Sequence, residues 1–212
     1  MNRRKLLVLA GVLATALSNP AFAQDPAPAP EQAAAPALAV QVVLDTSAGP
    51  IIVETDPRAP VTAANFLRYV DEDRFDGTDF YRGMDLGSGT GLIQGGTANA
   101  PDRVLPPIAH EPTSQTGLRH VDGALSMARF DPGTADGDFF IILGSIPGLD
   151  AGQTTPDDPG FAVFGHVVEG MDVVRAILAA PKSPTEGEGV MRGQMLDPRI
   201  HILSARRVTP AP

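Results

Sequence analysis

The chain is 212 residues long, 43% hydrophobic and free of cysteine, with a formal net charge of −9. That length suits one domain of ordinary size plus extensions, and the apolar content excludes global disorder. Disulfide cross-links are excluded outright, and the acidity argues against nucleic acid or an anionic membrane surface as partner.

Met1-Asn2-Arg3-Arg4-Lys5 is a basic start, and Leu6 to Ser18 is an apolar run too short to span a bilayer comfortably. Ala21-Phe22-Ala23 has the small-x-small form of a cleavage site. Together they predict a secretory signal peptide over residues 1–23, cut after Ala23, and a periplasmic product with no stable membrane insertion. The cut removes Arg3, Arg4 and Lys5 and takes the net charge from −9 to −12. Residues 24–38 (QDPAPAPEQAAAPAL) have little to bury and predict a semi-extended linker. A domain is expected over residues 39–209.

That domain opens with the β-branched run Val40 to Thr46, followed by the turn Ser47-Ala48-Gly49-Pro50 and a second strand, Ile51 to Glu54, making a hairpin. Pro57 and Pro60 stop the strand, and Pro60 suits a helix start. Ala63, Phe66, Leu67 and Val70 then recur at helical spacing. Further strands are expected at Asp79–Arg82, Gly91–Gln94, Ala124–Ala128, Phe139–Leu143, Ala162–Val168 and Ile200–Val208. A second helix is expected after Gly170, ended by Pro181. Gly87-Ser88-Gly89-Thr90-Gly91 lacks the lysine of a phosphate loop and reads as a flexible loop. Many short strands with two helices predict a mainly β fold, a closed barrel or a sandwich; the pattern alone does not choose.

Five segments recur in a fixed order: Phe80-Tyr81-Arg82, Gln94-Gly95-Gly96, Leu125-Ser126-Met127-Ala128-Arg129, Phe139-Phe140-Ile141 and Val163-Phe164-Gly165. With the helix Thr62-Ala63-Ala64-Asn65-Phe66 ahead of them, this order resembles the cyclophilins, the peptidyl-prolyl cis/trans isomerases, over roughly Val40 to Val208. The resemblance implies a closed eight-stranded antiparallel β-barrel capped by two α-helices, working as a monomer on proline-containing polypeptide clients without a cofactor. Arg82 matches the family's catalytic arginine and Gln94 its substrate-backbone binder. Phe140 matches the floor of its proline pocket, and Leu92, Ala128 and Leu149 match the apolar walls. The implied reaction, rotation about an X–Pro bond, breaks no bond, so it calls for a donor to the imide nitrogen and a dry pocket rather than a nucleophile or metal.

The rim departs from the family pattern. A Gly-rich insertion, Gly83 to Gly91, separates Arg82 from Gln94, and Gly91 replaces the aromatic that usually precedes Leu92. Arg129 stands for a substrate-contacting Asn, Asp138 for a Gln, and Phe161 for a pocket His; Gly148-Leu149 lacks a Trp. Arg129, Asp138 and Phe161 are therefore expected substrate contacts of altered chemistry. Gly91, Arg129 and Asp138 keep open a second reading, a proline-binding or chaperone-like module with little turnover. His110-Glu111 lacks a second His at zincin spacing, and no metal site is expected.

Overall fold

The computed structural model describes residues 38–209. The expected signal peptide, residues 1–23, and all of the linker but Leu38 lie outside the described residues. Within them, β1 (Gln41–Thr46) buries Val42, Leu44 and Thr46 on one face, and a two-residue connection leads into β2 (Gly49–Thr55), which buries Ile51, Val53 and Thr55. This period-two burial is what the β-branched pattern dictates.

Helix α1 (Pro60–Asp71) starts on Pro60 and buries Phe66, Tyr69 and Val70. No neighbouring side chain caps it. The buried Glu111 does so from a distance, accepting hydrogen bonds from the backbone N–H of Val61 (3.1 Å) and Thr62 (2.7 Å) and from the Thr62 hydroxyl (2.6 Å). A carboxylate there meets the positive end of the helix dipole. Phe66 then lies 5.3–5.5 Å, centroid to centroid, from Phe75, Phe139 and Phe164, an aromatic cluster that fills the core.

The remaining elements are β3 (Thr78–Gly87), β4 (Thr90–Gly96), α2 (Thr113–Thr116), β5 (Ala124–Met127), β6 (Phe139–Leu143), β7 (Ala162–Glu169), α3 (Met171–Ala179) and β8 (Met195–Arg207). The eight strands close into an antiparallel barrel in the order β1-β2-β7-β5-β6-β4-β3-β8. Helix α1 packs on β7 and β8, and α3 packs on β2, β3, β4 and β6. The barrel expected from the resemblance is the observed one.

Two details differ. A third, four-residue helix, α2, joins the expected pair; its Thr-Ser-Gln-Thr sequence carries no apolar period that would announce it. The Gly-rich stretch is not a flexible loop: β3 and β4 continue as a paired hairpin through Met84↔Leu92, Asp85↔Gly91 and Gly87↔Thr90. Gly91 is required there, because a Cβ would overlap the Met84 carbonyl oxygen and crowd Leu178 of α3. The space of the missing aromatic is thus already taken by the hairpin's own backbone and by the helix.

Candidate active site

The site lies on the outer face of the barrel, where one row of cross-strand partners runs Arg82↔Gln94↔Phe140↔Ser126 over β3, β4, β6 and β5. Residues far apart in sequence become neighbours because each is directly opposite the next in the ladder. Phe80 pairs with Gly95 and Arg82 with Gln94, so Tyr81 is the extra residue of a β-bulge. In a regular strand Tyr81 would face away from Arg82; the bulge brings its hydroxyl to the same network.

Arg82 is half-buried and held at three nitrogens. Nη1 donates to Gln94 Oε1 (2.8 Å), Nε donates to Gln194 Oε1 (2.8 Å), and Nη2 lies 3.7 Å from Met84 Sδ. Gln94 Nε2 donates to the Tyr81 hydroxyl (2.8 Å), which donates to Asp138 Oδ2 (3.0 Å). The other Asp138 oxygen accepts from Ala98 N–H (2.7 Å) and, more weakly, from the Thr97 hydroxyl (3.4 Å). The bonds run in one direction from Arg82 and Gln94 to Tyr81 and Asp138, and that fixes the Gln94 amide with its oxygen toward Arg82. Burial pushes the Asp138 carboxyl above the usual range and the Tyr81 phenol far up, while it pulls the Arg82 guanidinium down. Arg82 stays a cation at any working pH, and it belongs to no ion pair among the described residues.

Phe140 is 4% exposed and sits between two rings. Phe161 meets it edge-on at 5.5 Å, and His120 stacks on it at 6.0 Å and 13°. His120 is itself buried, with Nδ1 2.7 Å from Asp150 Oδ1 and Nε2 2.9 Å from Ser126 Oγ. Burial holds its pKa below the ordinary histidine value. The ring is held at both nitrogens, by Asp150 on one side and on the other by Ser126, whose hydroxyl also lies within donating reach of the Ala162 carbonyl (3.1 Å). Phe140, the expected pocket floor, therefore stacks on a ring that is fixed in place.

The other expected residues fall on either side of this row. Leu92 is buried beside Gln94, paired with Met84 and Ile142. Leu149 is half-buried in a short turn, and its carbonyl accepts the Phe161 N–H (2.9 Å). Ala128, Arg129, Asp138 and Gln94 line a cavity of about 380 Å³ with Tyr81, Met191 and Met195. Arg129 is tied down: its Nη1 donates to the Phe130 carbonyl (2.7 Å), its Nε and Nη2 donate to the Gly160 carbonyl, and its guanidinium lies 4.8 Å from the Phe161 ring centre. The Arg-for-Asn and Phe-for-His exchanges are thus one stacked unit. Asp138 is spent on Tyr81 and the Thr97–Ala98 turn. Sequence reasoning missed Tyr81, whose bulge no local pattern marks, and Gln194, which lies 112 positions from Arg82. No group of three or more His, Cys, Asp or Glu able to hold a metal occurs among the described residues.

The chain matches the family model for cyclophilin type peptidyl-prolyl cis-trans isomerase/CLD over residues 41–205. It is 40% identical over 152 residues to peptidyl-prolyl cis-trans isomerase cyp18 of Streptomyces antibioticus, covering 69% of this chain and 87% of that one. It is 34% identical over 182 residues to peptidyl-prolyl cis-trans isomerase A of Dickeya dadantii, covering 84% and 85%. Among solved structures, a Cryptosporidium parvum cyclophilin type peptidyl-prolyl cis-trans isomerase superposes with a TM-score of 0.64 at 20% identity, over 82% of this chain and all of that one. With most of the barrel inside the family model and bacterial relatives well above a third identical at their best, this chain belongs to the cyclophilin-type peptidyl-prolyl cis-trans isomerases.

Proposed function

We propose that this isomerase turns X–Pro bonds at the Arg82–Gln94–Phe140 row, in proline-containing segments of exported proteins. The observation that carries the reading is the row itself: a cation, an amide and an aromatic floor placed side by side on three adjacent strands. Rotation must break amide resonance, a barrier of about 18–20 kcal/mol. As the bond twists, the imide nitrogen gains lone-pair density, and a guanidinium N–H aimed at it stabilises the twisted state more than the planar one. Phe140, with Phe161 edge-on against it, holds the proline ring dry while the acyl half turns, Leu92 and Leu149 being the expected walls. Gln94 holds the client backbone, its amide oriented by Tyr81. Lowering the barrier by about 6 kcal/mol would accelerate rotation about 10⁴-fold.

A related cyclophilin was crystallised in the presence of the dipeptide Ala-Pro, and that ligand suits this row. The export assignment rests on the basic start, short apolar run and Ala21-Phe22-Ala23; terminal sequencing of the soluble envelope fraction should find Gln24 first. The activity is tested by magnetisation-exchange NMR on a short Ala-Pro peptide with catalytic amounts of enzyme. Accelerated exchange is expected. Peptide binding without acceleration would hand the chain to the proline-binding reading, for which the immobilised Arg129–Phe161 rim is the supporting observation.

A further inference from the structure

We propose that Gln194 is a positioning residue for the isomerase reaction, the second arm of an all-amide clamp that aims Arg82 without neutralising it; the proposal rests on Arg82 being the catalytic donor.

Arginine has five N–H donors. In Arg82, Nε is taken by Gln194, one Nη1 hydrogen by Gln94 and one Nη2 hydrogen by Met84 sulfur, which leaves one hydrogen on each terminal nitrogen for a client. The two amide oxygens approach from opposite parts of the chain, Gln94 from β4 and Gln194 from the segment just ahead of β8. A long side chain fixed in advance gives up little rotamer freedom when the client arrives, and the fork is already oriented.

The chemistry of the clamp matters as much as its geometry. A carboxylate at either position would bind the guanidinium more strongly, but it would also cancel the charge needed at the twisting imide. Both observed partners are neutral, and the one carboxylate of the network, Asp138, is kept away from Arg82 behind Tyr81 and Gln94. Gln194 is anchored for this task. Its carbonyl accepts Gly83 N–H (2.9 Å), its own N–H donates to Met191 (3.0 Å), and its Nε2 donates to the Val190 carbonyl (2.8 Å). That last bond fixes the amide orientation, so the oxygen is the end presented to Arg82. The Lys182↔Leu196 bridge closes the base of this segment, and through Gln194 its tip is tied to the catalytic strand.

The test is a double-mutant cycle on the full chain, read by magnetisation exchange on an Ala-Pro peptide with thermal unfolding as the control for folding. Gln194→Ala is expected to lower kcat about 10-fold, equivalent to about 1.4 kcal/mol, with KM within about twofold. Gln194→Glu, which keeps the acceptor but adds charge, should lose at least as much. In an Arg82→Ala background, Gln194→Ala should cost nothing further, because the residue acts only through Arg82. Equal losses in both backgrounds would mean a structural role, and full activity of Gln194→Ala and Gln194→Glu would likewise overturn the clamp. Full activity of Arg82→Ala would instead overturn the underlying reading of Arg82, a distinguishable failure.

Discussion

Tyr81→Phe deletes a single oxygen and strips the Asp138 carboxylate of the nearer of its two side-chain donors. The parent carboxylate accepts Tyr81 O–H at 3.0 Å, Ala98 N–H at 2.7 Å and Thr97 O–H at 3.4 Å, and at 5% exposure it has little water to replace what is lost. A hydrogen bond to a charged group contributes about 1.5–3 kcal/mol, so the variant should lose about 2 kcal/mol. For a domain of this size that is a fall in Tm of about 4–8 °C. Gln94 loses less, since its amide lines the cavity, but with no phenolic oxygen its orientation is no longer fixed and kcat/KM should fall several-fold. The sign of the pH effect follows from the raised Asp138 pKa: without its donor the group is more readily protonated, and a protonated carboxyl lacks the buried charge. The stability deficit should therefore be largest near neutrality and shrink as pH falls through the Asp138 titration. Adding Asp138→Asn should recover more than half of the lost stability, because the unpaired charge disappears. Calorimetric melts of parent, single and double variants at pH 7 and pH 5 test all of this. A Tyr81→Phe protein as stable as the parent, or one made worse by Asp138→Asn, would refute the account of the network.

Arg82→Ala should cut kcat/KM by about 10²-fold, about 2.7 kcal/mol, and Arg82→Lys should rescue it poorly because a point charge lacks the fork; peptide exchange measures both. His120 is held neutral by burial, with a folded pKa below its unfolded value, so the unfolded chain binds the extra proton. Stability should be complete above about pH 6.5 and fall below it, by up to about 1.4 kcal/mol per pH unit. Urea melts should show that slope flattened in His120→Gln, and an unchanged slope would remove His120 as its source. Gly91→Ala must push the Met84 carbonyl or Leu178 aside and should cost about 1–3 kcal/mol, read as a lowered denaturation midpoint.

The parts of the fold that were legible are those where burial imposes a period. Val42 and Leu44, Ile51 and Val53, and Phe66 with Val70 all lie where alternation or helical spacing puts them. The 83–91 hairpin was illegible because most of its pairs join glycine or exposed polar residues, so no apolar alternation marks it. Strand β8 begins at Met195 rather than Ile200, since Asp197, Pro198 and Arg199 are exposed and interrupt its pattern. In the site, the ordered motifs named both members of the Arg82–Gln94 pair, but register decides who stands opposite whom. The bulge at Tyr81 and the long reach of Gln194 are properties of the closed barrel, and no stretch of sequence contains them.

Barrel closure also limits how a client is held. Every strand from β1 to β8 has a hydrogen-bonded neighbour on both sides, so among the described residues the barrel offers no sheet edge for β-augmentation, the mode in which an extended peptide gains affinity from a run of main-chain bonds. At the proposed row a client would meet this protein through a ring pocket, a guanidinium and a few loop groups, a footprint of a few residues around one proline. Grip that local is released easily, which favours an agent that visits many prolines in turn over one that retains an unfolded chain.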